Sequence, residues 1–165
     1  AVYAEWTSPE LRERALAAVM SEAQRRGRHV RLARHLHAAS FIAALEAAHV
    51  GLVLAQDRAG ATTLAAAALD LAAPLADLVA TGRVLIVLDG ARGAGTWQLA
   101  APLAELSGRV DVTSATIEVV SPADALAVGL FRAYRAAPAS VAFTYAGGGA
   151  VTATESGATI IHETF

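Results

Sequence analysis

The stretch of residues 50–97 constrains the fold more than any other part of the chain. It begins with the apolar run 50–55 and later contains a second run, 84–88, and both are rich in Val, Ile and Leu. Such runs are typical of strands in a parallel sheet that helices cover on both faces. Between them, apolar residues recur three or four positions apart over 62–79, as one face of a helix requires. Two parallel strands joined by one helix form a right-handed crossover unit, so the stretch predicts an α/β fold.

The rest of the chain continues this alternation of strands and helices. Pro74 lies within the central helix and is expected to kink or divide it. Strand and helix repeat five times, which predicts a doubly wound parallel five-stranded sheet in a three-layer sandwich. The remaining predicted strands are 2–6, 29–36 and 110–120, and the remaining predicted helices are 9–26, 38–48, 96–106 and 124–136.

The C-terminal residues 139–165 depart from this pattern. Short segments with alternating Thr and Val surround the run Gly147-Gly148-Gly149, which predicts an antiparallel hairpin or meander. We therefore expect an α/β domain over 1–138 and a β-hairpin extension of the same domain over 139–165. An open strand edge favours pairing with another chain, so a homo-oligomer or a partner subunit is expected through the hairpin.

Composition narrows the class of protein. The 165 residues suit one domain, and 55% hydrophobic against 17% charged residues is enough to form a buried core. A net charge of −2 gives no general attraction to nucleic acid. The chain has no Cys, which excludes thiol catalysis and disulfides. No apolar run of about 18 residues is free of polar interruption, so we expect no membrane span and a cytoplasmic protein.

Two loops that follow predicted strands are the candidate ligand site, because ligands bind beyond the carboxyl ends of strands in open α/β sheets. Each loop combines Asp, Arg and Gly with a following hydroxyl, and Gly-rich turns at helix starts can hold a phosphate through backbone amides. Trp6 and Trp97 follow strands at the same end and can stack on a planar ring. Ordinary solvated turns explain the loops equally well. The loop candidates are Asp57, Arg58, Gly60, Thr62, Gly90, Arg92, Gly93, Gly95 and Thr96.

No catalytic residue can be assigned from the sequence. His35 and His37 share one side of an extended segment, but a zinc site needs a third ligand and none is marked nearby. No G-x-S-x-G elbow supplies a nucleophilic serine. We predict neither a metal site nor a catalytic cluster.

The central stretch resembles a known family. The run Arg58-Ala59-Gly60-Ala61-Thr62-Thr63-Leu64, the later Ala68-Leu69-Asp70-Leu71 and Gly82-Arg83-Val84, and the Gly-rich segment 89–95 are similar to the NADPH-dependent FMN reductases of flavodoxin-like fold. The resemblance implies FMN with its phosphate at Thr7 and Ser8 and its ring between the loops 57–62 and 90–96. NADPH would be the co-substrate, with the flavin supplying the redox chemistry.

Two alternatives to a flavin reductase remain. The turn Trp6-Thr7-Ser8-Pro9 lacks the Gly-Ser pair that follows the first strand in the family, which favours a non-catalytic subunit that has lost the flavin site and acts in assembly or protein interaction. The third possibility is a module that binds a phosphate-bearing small molecule through Arg58 and Arg92.

Overall fold

The computed structural model describes residues 1–90, 95–138 and 140–165, and the chain forms two separate sheets. The first part contains strands β1 (Val2–Tyr3), β2 (Arg34–His35), β3 (Val50–Val53) and β4 (Val84–Val87), and helices α1 (Pro9–Arg25), α2 (Ala38–Leu45) and α3 (Ala61–Ala80). The second part contains a 3-10 helix at Thr96–Leu99, α4 (Ala101–Ala104), β5 (Leu106–Val112), β6 (Thr116–Val119), a 3-10 turn at Ala125–Ala127, β7 (Ala133–Arg135), β8 (Ser140–Tyr145), β9 (Ala150–Thr154) and β10 (Gly157–Ile161).

The first sheet is parallel, with the strand order β2-β1-β3-β4. Alternate residues of its strands point to opposite faces. Tyr3 and Val53 belong to the larger core, which packs against α2 and α3. Val2 and Leu52 belong to a smaller core that Leu16 of α1 covers on the other face. The apolar runs at 50–55 and 84–88 therefore form neighbouring parallel strands, as the sequence predicts.

The sequence predicts that Pro74 kinks or divides the central helix. Helix α3 runs without a break through Pro74, so the proline does not divide it. Its buried face carries Leu64, Ala67, Ala68, Leu71, Leu75 and Leu78. By length and composition α3 is also apolar enough to cross a membrane. That is weak evidence for a span, because its leucines Leu71, Leu75 and Leu78 are part of the larger core.

The second sheet has six antiparallel strands in the order β5-β8-β10-β9-β6-β7, and its chain connections require it to curl. Strands β5 and β6 would be about 19 Å apart in a flat sheet, at about 4.8 Å per strand spacing. Only residues 113–115 join them, and the four steps from Val112 to Thr116 span at most about 14 Å. Beside this connection, Ala136 N donates to Ala115 O at 2.8 Å and continues the pairing of β6 with β7. The sheet is therefore an open barrel around Val112, Ile117, Ala136 and Ala142.

The prediction of one five-stranded parallel sheet in a flavodoxin-like three-layer sandwich was wrong. The segment 110–120 is two strands instead of one, interrupted near Ser114 at φ 57°. The segment 124–136 is a short 3-10 turn and then β7, with Gly129 at φ +83° between them. The segment 96–106 does not continue as a helix, because Glu105 adopts the left-handed conformation and ends α4. Strand pairing here overrides the helix propensity of an Ala-rich sequence.

The C-terminal tail forms three antiparallel strands, β8 to β10, and the predicted hairpin is present between β9 and β10. The tail is not a meander, because β10 lies between β8 and β9. They do not extend the parallel sheet. Strand β8 pairs with β5, and β9 pairs with β6, so the tail supplies the centre of the second sheet.

Candidate functional site

The carboxyl end of the parallel sheet brings together most of the predicted site residues. Strands β1 and β3 are neighbours, but the chain leaves β1 towards β2 on one side and β3 towards β4 on the other. The loops after them therefore diverge and form the switch point at which open α/β sheets bind ligands. The hydrogen bonds described below join Trp6, Ser8, Asp57, Arg58, Gly90 and Thr96 at this end.

Asp57 closes the start of α1. Its Oδ1 accepts a hydrogen bond from the backbone N–H of Ser8, the N-cap residue of α1, at 2.6 Å. Next along the chain, the N–H of Arg58 donates to Trp6 O at 2.9 Å. A helix N-terminus favours a negative charge because its first N–H groups are unpaired and its dipole is positive there. The Asp57 carboxylate thus takes the position at which the resemblance expects the flavin phosphate.

Gln56 is a buried polar link that the sequence analysis did not single out. Its side chain is fully buried, its Oε1 accepts from Trp6 N at 2.9 Å, and its Nε2 donates to Leu54 O at 2.6 Å. Its own backbone N–H donates to Thr96 Oγ1 at 2.8 Å. Gln56 therefore joins the loops after β1 and β3 to the 3-10 helix at Thr96. The available signal was a polar residue directly after the apolar run 50–55.

Asp89 connects the two sheets. Its carboxylate accepts from Gly90 N at 2.7 Å and Trp97 N at 3.2 Å, and its Oδ2 lies 3.4 Å from Arg109 Nε on β5. Arg109 Nη2 also donates to Gly90 O at 2.7 Å and lies 3.2 Å from Asp111 Oδ1. The Asp89 side chain is 3% exposed, and this burial raises its pKa, while the two backbone N–H groups and Arg109 act in the opposite direction. The carboxylate is held inside the protein and is not presented to a ligand.

Among the described residues, the remaining loop candidates make no cradle for a ligand. A Cβ atom at Gly60 or Gly90 would meet nothing within 4 Å, so neither glycine is required by a close approach. Gly95 is required by its backbone, since it has φ +114° and a Cβ there would lie 2.8 Å from Trp97 Nε1. Thr62 and Arg58 are exposed. Arg92 and Gly93 lie outside the described residues.

Trp6 and Thr7 are predicted to contact a cofactor, but their side chains pack against the protein itself. The ring of Trp6 packs edge-on against Tyr3, with 6.2 Å between ring centroids, and is part of the rim of the larger core. Thr7 is 4% exposed, and its Oγ1 has no hydrogen-bond partner within the described ranges. Because that oxygen is inaccessible to solvent, it does not open onto the switch-point crevice.

Histidine side chains and surface grooves elsewhere in the described part of the chain form no further site of the predicted kind. His37 Nδ1 lies 3.8 Å from Glu5 Oε1, but no three His, Cys, Asp or Glu side chains meet as metal ligands would among residues 1–90, 95–138 and 140–165. Two shallow grooves run along α1, beside Leu16, Met20 and Val30, and neither includes a predicted site residue.

Comparison with known proteins gave no match, since no family model, no curated protein and no solved structure is significantly similar to the chain.

Proposed function

We propose that this protein is a non-catalytic α/β subunit that acts in assembly or protein interaction. The observation that carries the proposal is the hydrogen bond from Ser8 N to Asp57 Oδ1, because the Ser8 N–H, one of the donors that the resemblance assigns to the phosphate, is already bonded to an internal carboxylate. Three more backbone N–H groups at this end of the sheet are bonded to side chains of the protein. Trp6 N donates to Gln56, Gln56 N donates to Thr96, and Trp97 N donates to Asp89.

Electrostatics supports this reading against a bound flavin or sugar phosphate. A phosphate at the start of α1 would lie next to the Asp57 carboxylate. Two unit charges of like sign 4 Å apart repel by about 1 kcal/mol in water and about 4 kcal/mol near a protein surface. The bonds that a helix start offers would have to exceed both this repulsion and the loss of the Asp57 cap.

Exposed apolar surface supports an interaction role. Val128 and Phe131 lie in the loop between β6 and β7 and are 82% and 81% exposed. Val84, Ile86 and Leu88 form a second apolar surface along β4. Contiguous exposed apolar surface commonly marks sites at which proteins bind one another.

A flavin titration tests the proposal. The purified chain is mixed with FMN, freed of the excess, and its absorbance and flavin fluorescence are recorded before and after NADPH. We expect no retained flavin and no acceleration of NADPH oxidation. One equivalent of retained FMN that NADPH bleaches would overturn the proposal and favour the reductase.

Two substitutions make the titration specific to Asp57. Asp57→Ala removes the internal carboxylate, whereas Asp57→Asn removes only its charge and keeps an oxygen acceptor. If the carboxylate blocks the anion position, Asp57→Ala should bind FMN or inorganic phosphate at least tenfold more tightly than the original chain. Equal, tight binding by all three proteins would show that Asp57 blocks nothing.

A further inference from the structure

We infer that two copies of this chain associate through their β4 strands, which pair antiparallel about a two-fold axis at Ile86. The inference rests on the proposed assembly function and names its partner, a second copy of the chain. It is carried by the free edge of β4 and by its apolar face.

The outer edge of β4 is unpaired among the described residues, because β4 is the last strand in the order β2-β1-β3-β4. The N–H groups of Val84 and Leu88 point inward and donate to His49 O and Val53 O at 3.2 and 2.9 Å. Alternate residues of a strand direct their backbone groups to opposite sides, so Leu85 and Val87 direct theirs outward.

One face of β4 is also uncovered. Val84, Ile86 and Leu88 are 52%, 43% and 40% exposed, while Leu85 and Val87 pack against the larger core. In the strand register Ile86 is opposite Leu52, so the exposed side chains lie on the face that α1 covers further along the sheet. Helix α1 covers the neighbouring strands on this face and does not reach β4.

The other sheet edges carry features that discourage pairing. Strand β2 has only two residues, and the three-residue β7 ends in the exposed Arg135. Strand β5 contains Arg109 and Asp111. In contrast, residues 84–88 contain neither a charge nor a proline. Natural proteins protect free edges with charges, prolines or short strands, so the unprotected β4 edge is suited to being covered.

Antiparallel pairing about Ile86 satisfies this edge. Leu85 of one copy would lie opposite Val87 of the other, and the two pairs would exchange four backbone hydrogen bonds. Ile86 would lie opposite its own copy, and Val84 opposite Leu88, so six half-exposed apolar side chains would form one cluster on the uncovered face. The same patch serves both copies, as a two-fold interface requires.

Cysteine cross-linking tests the register, because the chain has no Cys of its own. At Ile86 the two Cα atoms would be about 4.5 Å apart, within the range of a disulfide. The two Val84 residues would be about 13 Å apart, so Val84→Cys is a matched control on the same strand and face. Under mild oxidation we expect Ile86→Cys to form a covalent dimer at least tenfold faster than Val84→Cys. Equal rates, or no dimer from Ile86→Cys, would overturn the inference.

Sedimentation equilibrium tests association without cross-linking. The original chain should sediment with twice the mass of one chain at high concentration, and Ile86→Lys should weaken the dimer at least tenfold. Leu69→Lys, which changes an 81% exposed apolar residue of α3 outside both apolar surfaces, should leave the dimer unchanged. Circular dichroism verifies that both variants are folded. A folded monomer at all concentrations, or equal effects of the two substitutions, would contradict pairing through β4.

The two proposals can fail separately. A dimer that also retains FMN would contradict the proposed function and leave the interface intact. A monomer that binds no FMN would contradict the interface and leave the function open to a different protein partner.

Discussion

At the scale of single residues, four polar side chains at the carboxyl end of the parallel sheet are bonded within the protein: Gln56, Asp57, Asp89 and Thr96. The sequence identified Asp57 and Thr96 as polar residues at this end, but periodicity and composition do not reveal which atoms they bond. Gln56 was missed for the same reason, since its role depends on loops that meet only after folding. The residue types in a sequence can suggest a ligand site. Whether those residues are already hydrogen-bonded to other parts of the protein depends on the tertiary structure.

Gln56→Leu should lower the free energy of unfolding by about 2–3 kcal/mol. The substitution leaves the buried N–H of Trp6 without an acceptor, and an unsatisfied buried group costs about 1–3 kcal/mol. Urea unfolding measures the difference. Gln98→Leu is the control, since the buried Oε1 of Gln98 has no hydrogen-bond partner within the described part of the chain. Equal losses from the two substitutions would show that the Gln56 bonds contribute nothing specific.

Asp124→Asn should reduce thermal stability at neutral pH but not in acid. The N–H of Leu126 and then His162 Nδ1, 2.8 Å from Asp124 Oδ2, hold the pKa of this carboxyl below its usual range. A lowered pKa in the folded state stabilises the fold above about pH 4, and this contribution is lost as the pH falls through the folded-state pKa.

Melting temperatures of the original chain and Asp124→Asn between pH 2 and pH 7 test this dependence. The difference between the two proteins should shrink as the pH falls below about 4. Glu155→Gln serves as the control, because the Glu155 side chain makes no hydrogen bond or ion pair among the described residues. A difference that stays constant across the range would contradict the assignment.

At the scale of elements, the first part of the chain and the strands of the tail were predictable, whereas residues 96–136 were not. The predicted helices 9–26 and 62–79 are confirmed as Pro9–Arg25 and Ala61–Ala80 within one residue at each end. Long periodic patterns and clear strand runs give this accuracy. From Thr96 onward the segments are short and Ala-rich, so local propensity does not separate helix from strand. Pairing of β5 with β8 and of β6 with β9 then stabilises the strand conformation.

Asp57→Ala should destabilise the protein by about 1 kcal/mol, because α1 loses the carboxylate that accepts from Ser8 N. Asp57→Asn should retain most of the stability, since its amide oxygen can accept the same bond. Chemical unfolding of the three proteins measures the effect. No loss for Asp57→Ala would mean that the carboxylate does not cap the helix.

At the scale of the whole molecule, the fold depends on contacts between distant parts of the chain. The short connection at 113–115 curls the second sheet, and the Arg109–Asp89 ion pair attaches it to the first. A sequence pattern states how a strand alternates but not which strand lies beside it. For this reason the strand-helix alternation suggested a single sheet where the chain forms two.

Arg109→Gln should destabilise the protein at neutral pH, and the loss should shrink in acid. Removing Arg109 leaves the Asp89 carboxylate buried without its cation, which typically costs several kcal/mol. Burial already raises the Asp89 pKa, and loss of Arg109 removes an influence that lowers it. The charged form is therefore the unfavourable one, and protonation relieves it as the pH falls. Unfolding at pH 7 and pH 4 tests this, and an equal loss at both would contradict it.

Amide hydrogen exchange tests most directly the claim that the protein closes its own ligand edge. The amides of Trp6, Ser8 and Trp97, bonded to Gln56, Asp57 and Asp89, should exchange slowly without any ligand and should not change when FMN is added. The amide of Gly148, which has no acceptor among the described residues, should exchange fast in both conditions. Fast exchange at Trp6 and Ser8 that slows only with FMN would show that the edge is an open cofactor site and would contradict the account.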